Sequence, residues 1–227
     1  MNTMKRQPAI VLVLGVAALV AAMLTAVAAT GHLVPGDHPI ANAVQSVPGE
    51  GPEEIADVLA LTVIETVVWI AAAFIAWRRR SAALLIAGVL VALALTANPV
   101  IKEIVDRARP AASDLTIRET DAHEGFPSGH VQGATLIYGY LWCAISLMGL
   151  RARIWVTAFV AAVLLLIAFD RVYNGAHWPS DVVGGFAYGV LLLALCVLAG
   201  RGLSGLPAWS AGRRPGSVAR GAAMKGG

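Results

Sequence analysis

Apolar residues gather in six runs, at 8–30, 55–77, 82–101, 129–150, 154–169 and 182–199, with short polar connections between them. Most are close to the roughly 20 residues that cross a bilayer core as a helix. In lipid, a helix lets a single segment satisfy its own backbone groups. The pattern therefore predicts an all-α fold, an integral membrane bundle of six transmembrane helices. The run at 154–169 is the shortest and draws on its flanks. The first run reads as a retained anchor. Lys5-Arg6 and Ala26-Val27-Ala28 resemble parts of a signal peptide, but the apolar stretch is longer than the usual signal core.

Polar positions add orientation. Lys5, Arg6, Arg78-Arg79-Arg80, Arg151, Arg153, Arg201, Arg213, Arg214, Arg220 and Lys225 fall in alternate connections. By the positive-inside rule that side is cytoplasmic, with both termini on it. The acids occupy the other connections or the spans: Asp37, Glu50, Glu53, Glu54, Asp57, Glu103 through Glu124, Asp170 and Asp181. The net charge of +3 is thus explained by topology and calls for no nucleic-acid partner. Five cations lie on the acidic side and need a reason: Lys102, Arg107, Arg109, Arg118 and Arg171.

Composition agrees with this picture. The 227 residues are 58% hydrophobic and 14% charged, with mean hydropathy +0.72, against about a quarter charged in soluble domains. Residues 1–200 read as one six-span membrane domain and 201–227 as a basic, disordered cytoplasmic tail. Cys143 and Cys196 lie in apolar runs and read as small buried hydrophobes. The outer loop 31–54 reads as a solvated connection with a short helix from Pro52 onward, and His32 and His38 carry no ligand pattern. Glu65, inside the second span, is either a hydrogen-bonded packing residue or a group beneath the active site.

Three outer segments carry chemistry. In the first, Lys102 and Arg109 are seven residues apart and share a face if the third helix continues to Pro110. In the second, Pro127-Ser128-Gly129-His130 opens the fourth span, with Ser128 near the cap. Free N–H groups at such a helix start favour an anion, and Gly129 permits close approach. In the third, Arg171 offers a forked donor for phosphate oxygens. His177 and Asp181 are four apart across Pro179, which suits a helix start. A carboxylate one turn away can hold Nδ1–H and leave Nε2 as a nucleophile. Trp178 reads as an interface aromatic.

In this order and on one membrane face, the three segments resemble the signature of the type-two phosphatidic acid phosphatase superfamily. Lys102, Arg109 and Pro110 match its first motif, Pro127 to His130 its second, and Arg171, His177 and Asp181 its third. Asp170 stands where the family pattern has Ser. The resemblance implies that His177 attacks phosphorus to form a phosphohistidine, oriented by Asp181. It implies that His130 protonates the leaving oxygen and then assists water. Lys102, Arg109, Arg171 and the backbone at Ser128 and Gly129 are implied to bind phosphate. The expected substrate is a lipid phosphate or diphosphate: polyprenyl (undecaprenyl) diphosphate, phosphatidylglycerol phosphate or phosphatidic acid. The expected place is a bacterial inner membrane, with the site extracytoplasmic.

Three cations can neutralise a phosphoryl group, so neither metal nor other cofactor is expected. The spacing of Asp121, His123 and Glu124 matches no metal site. Transfer of the phosphoryl group to another lipid is an alternative within the same chemistry. A small transporter or lipid-binding scaffold is the alternative from another class, disfavoured because its ionisable groups would sit nearer mid-membrane. Haloperoxidases share the anion cage, but the six spans argue against them.

Overall fold

The computed structural model describes residues 7–48, 62–119 and 124–204. Its regular structure is helical: α1 Gln7–Ala28, α2 Asp37–Gln45, α3 Thr62–Arg78, α4 Ala82–Ala94, α5 Ala97–Val105, α6 Gly129–Ile145, α7 Leu150–Tyr173 and α8 Pro179–Ser204. A short 3-10 turn, Ser146–Met148, links α6 to α7. No strand occurs among the described residues.

Five stretches among the described residues are helical, long and apolar enough to cross a membrane: Val11–Ala28, Ala82–Val105, Gly129–Met148, Arg151–Tyr173 and Pro179–Ser204. The chain is a multi-pass membrane protein. The expected span at 55–77 is described only from Thr62, where α3 is helical. The short fifth run does draw on its flanks, since α7 extends it at both ends. Large apolar side chains point outward along these helices, including Val63, Val67, Ile70, Phe74 and Trp77 on α3 and Trp155, Phe159 and Leu165 on α7. Such faces suit lipid rather than water.

The third run is not one straight helix. Residues 95–96 interrupt it between α4 and α5. Pro99 lacks the N–H that would bond the Leu95 carbonyl, which accounts for the break. The expected continuation to Pro110 is also absent. The helix α5 stops at Val105, and Asp106 caps it in the left-handed region, φ 49°, donating its N–H to the Lys102 carbonyl. Lys102 and Arg109 therefore do not share a helix face; Arg109 lies on an irregular strap.

Helices α6 and α8 form the centre. The helix α8 packs on α1, α4 and α6, while α6 also contacts α3 and α7. Small residues let α6 and α8 approach. A Cβ on Gly185 would lie 2.8 Å from the Ser128 carbonyl oxygen, and one on Gly189 would lie 2.6 Å from Thr135 Cβ. The small-residue ladder is thus a packing seam. Cys196 is buried in the core, and both cysteines are free.

The described part of the first loop, 31–48, is more ordered than a solvated connection. It folds α2 back onto α7 and α8. Gln45 donates to the carbonyls of Thr116 (2.8 Å) and Tyr173 (3.0 Å), and its Oε1 accepts from the Thr116 N–H (3.1 Å). The helix expected from Pro52 lies outside the described residues. So does 205–227 of the expected tail; α8 itself runs four residues into that tail, to Ser204.

Candidate active site

Three polar segments meet at one end of the bundle, held by bonds to backbone carbonyls. Gly125 N–H donates to the Arg107 carbonyl (2.7 Å) and Ser128 N–H to the Asp181 carbonyl (3.0 Å). Lys102 Nζ donates to the Glu124 carbonyl (2.5 Å), and Arg109 Nη1 to the Ala176 carbonyl (2.7 Å). Each sequence segment is thereby tied to the other two.

His177 sits in the connection between α7 and α8, 1% exposed. Its Nε2 lies 3.4 Å from Arg109 Nη1. A guanidinium N–H facing Nε2 favours a lone pair there, which leaves the proton on Nδ1. Nδ1 lies 3.7 Å from Asp181 Oδ2, longer than a closed hydrogen bond, and has no other partner. Burial lowers the imidazole pKa below its usual value; Asp181 pulls it up, and Arg109 and Lys102 push it down. The ring is therefore neutral at neutral pH.

Asp181 is held firmly. It lies in the first turn of α8, which starts at Pro179 as the sequence predicts. Oδ2 accepts from the Trp178 N–H (2.9 Å), the backward half of a capping box. Oδ1 accepts from Arg107 Nη1 at 2.6 Å. Trp178 is not an interface aromatic. It is 3% exposed and meets His38 of α2 edge-on, with centroids 4.8 Å apart.

At the start of α6, Ser128 takes the capping position in an extended conformation, but its side chain bonds nothing in the helix. Its Oγ is buried without a partner. The expectation that the Ser128 backbone N–H is free for an anion is corrected, because the Asp181 carbonyl occupies it. Gly129 is the first residue of α6, where a helix start offers an N–H with no carbonyl one turn back. His130 is half-buried in that first turn. Glu65 of α3 approaches α6 at Gly133, three residues beyond His130, its Oε1 3.8 Å from where a Cβ there would lie.

Arg171 ends α7, 2% exposed, between two carboxylates. Nε donates to Asp170 Oδ2 (2.8 Å), as does Nη2, and Nη1 donates to Glu119 Oε1 (3.0 Å). Asp170 Oδ1 accepts from Asn174 Nδ2 (3.0 Å). Of the acid-rich stretch 121–124 only Glu124 is described, so Asp121 and His123 lie outside the described residues.

Sequence reasoning missed Arg107, Asp37 and Ser180. Arg107 Nη2 donates to Asp37 Oδ2 (3.2 Å), and its Nη1 also donates to Ser180 Oγ (2.8 Å). Ser180 donates its N–H to Asp37 Oδ1 (2.9 Å) and its hydroxyl to Asp37 Oδ2 (2.8 Å). The one available signal was Arg107 itself, a cation on the acidic side of the membrane.

A multi-pass helical bundle with a buried histidine, paired carboxylate and converging cations at one end defines a class of membrane protein. The profile of the PAP2 superfamily matches residues 83–203, more than half of the chain, and the chain belongs to that superfamily. Similar curated proteins include Phosphatidylglycerophosphatase B of Bacillus subtilis, 34% identical over 103 residues, or 43% of this chain and 48% of the relative. Lipid A 1-phosphatase of Rhizobium johnstonii is 36% identical over 118 residues, 48% of this chain and 45% of the relative. Putative undecaprenyl-diphosphatase YbjG of Escherichia coli is 33% identical over 70 residues, 31% and 32% respectively. The match spans less than half the length of each of these relatives. A crystal structure of a transmembrane PAP2 type phosphatidylglycerolphosphate phosphatase from Bacillus subtilis has the same fold. Its TM-score is 0.65 at 22% identity, over 84% of this chain and 98% of that one.

Proposed function

We propose that this chain is a metal-independent membrane phosphatase that removes the terminal phosphate of a lipid phosphate or diphosphate. The observation that carries the reading is His177: a buried, neutral imidazole with Nε2 beside Arg109 and Nδ1 toward Asp181. Nε2 attacks phosphorus, the bond to the lipid oxygen breaks, and His130 gives that oxygen a proton. His130 then takes a proton from water, the water oxygen attacks the phosphohistidine, the P–N bond breaks and inorganic phosphate leaves. Asp181 stabilises the positive charge that develops on the ring. Lys102, Arg109, Arg171, the unpartnered Ser128 hydroxyl and the Gly129 N–H at the start of α6 bind the phosphoryl oxygens. Phosphate monoester hydrolysis is among the slowest uncatalysed reactions, so an acid, a nucleophile and a cationic cage acting together fit its demands.

The substrate class rests on the relatives, whose names cite phosphatidylglycerophosphate, lipid A 1-phosphate and undecaprenyl diphosphate. These ligands share a phosphoryl group on a lipid. Phosphatidic acid presents the same end. Alternating basic connections support a site on the extracytoplasmic side with both termini cytoplasmic, and the bacterial relatives support an inner-membrane location. In this reading residues 1–200 form the phosphatase domain.

The test is phosphate release by the detergent-solubilised full chain, in chelator, from undecaprenyl diphosphate, phosphatidylglycerol phosphate and phosphatidic acid. Acid-labile phosphoryl label should appear on the wild type and vanish in His177→Ala, with turnover falling at least about 10³-fold. Full turnover in His177→Ala sinks the nucleophile assignment. Label passing into an acceptor lipid instead of phosphate identifies a transferase.

A further inference from the structure

Arg107 is a buried cation whose donors are engaged by Ser180, Asp181 and Asp37. Its guanidinium joins three elements: the strap after α5, Asp37 at the start of α2 and the first turn of α8. Arg107, Asp37, Asp181 and His177 are each at most 2% exposed. The four form a chain in which Asp37 contacts Arg107 at 3.2 Å, Arg107 contacts Asp181 at 2.6 Å, and Asp181 lies 3.7 Å from the imidazole. Asp37 also accepts the Ser180 N–H, so a residue from the first outer loop caps the helix that carries Asp181. A fork bonded on both sides holds a carboxylate in place.

We infer that Arg107 and Asp37 are positioning residues for the His177–Asp181 pair, fixing the carboxylate that orients the nucleophile and setting the charge it feels. The inference rests on His177 being the nucleophile. Arg107 offsets part of the Asp181 charge, and Asp37 offsets part of that of Arg107. The charged groups facing His177 directly are Asp181, Arg109 and Lys102. His38 packs on the adjacent Trp178, and His130 opens α6.

The test is the pH dependence of kcat/KM for the full chain in detergent, whose acidic limb reports the pKa of the group that must be neutral. Arg107→Gln removes a positive charge, so the imidazolium is favoured and the limb moves up. Asp37→Asn removes a negative charge, so the limb moves down. Each shift should be about half a unit or more. In both variants the loss falls in kcat, up to about 10²-fold for a misplaced carboxylate. Arg107→Lys keeps the charge but not the fork, so its limb stays near the wild type while kcat remains reduced. Opposite limb shifts support the inference. Unshifted limbs, or shifts in one direction, in folded variants overturn it. Where Arg107→Gln does not fold, the near-isosteric Asp37→Asn decides alone. An active His177→Ala strikes the nucleophile reading itself, and that outcome is distinct from unshifted limbs beside an inactive His177→Ala.

Discussion

The carboxylate of Asp170 takes two of the five N–H donors of the neighbouring Arg171, and Glu119 takes a third. A fork so engaged has less charge to offer an incoming anion. Serine at this position, as in the family pattern, would leave that charge exposed. Asp170→Ser should therefore bind inorganic phosphate more tightly, seen as stronger product inhibition. It should also be less stable, by about 3 kcal/mol, because a buried pair loses one partner. Unchanged inhibition by phosphate would show that Arg171 lies outside the cage. At this scale the sequence was most informative where chemistry is local. The spacing of His177 and Asp181 across Pro179 put both groups where they stand. It was silent on Arg107, because the partners of that guanidinium lie 70 and 74 positions away. It also misread Trp178, whose burial depends on α2 folding back onto α7 and α8.

Among the elements, the α6–α8 seam matters most for geometry, because it joins the second motif to the third. Gly185 faces the Ser128 carbonyl, and a side chain there would push the start of α6 away from α8. Gly185→Ala should cost about 1–3 kcal/mol by overpacking. It should also depress turnover by up to about 10²-fold, since Ser128 and His130 move with the helix start. Gly202→Ala, near the end of the same helix with open space around it, is the control and should be neutral in both thermal melts and assays. Apolar run length foretold these helices well. It could not foretell the break before α5, because Pro99 acts inside a run that reads as continuous, or the stop at Val105, where the left-handed Asp106 ends a helix expected to reach Pro110. The helix α2 was hidden for a different reason: a short polar helix gains its stability from docking rather than from its own sequence.

Across the whole molecule, acid sensitivity follows from burying an imidazole among cations. The pKa of His177 lies below the ordinary value of about 6.5 in the folded chain. Between the two values the unfolded chain binds more protons, so stability rises with pH. The contribution of this group is complete above about pH 6.5 and is lost as pH falls through that window. The melting temperature of the solubilised wild type should therefore drop on acidification from pH 7 toward 5 by more than that of His177→Gln. Parallel curves for the two proteins would contradict the burial argument.

The bonds from Asp37 to Ser180 cross 143 positions of sequence, and this has a consequence for biogenesis. A chain inserted from its N-terminus exposes Asp37, Arg107 and the start of α6 well before α8 arrives. Until then Asp181 and its cap do not exist, and His177 lacks its carboxylate partner. On the proposed function, the newborn polypeptide is inert until α7 and α8 are paired. A product truncated before α8 would occupy membrane without Asp181 and its cap, so on the proposed function the insertion of α8 is the step that first completes the site.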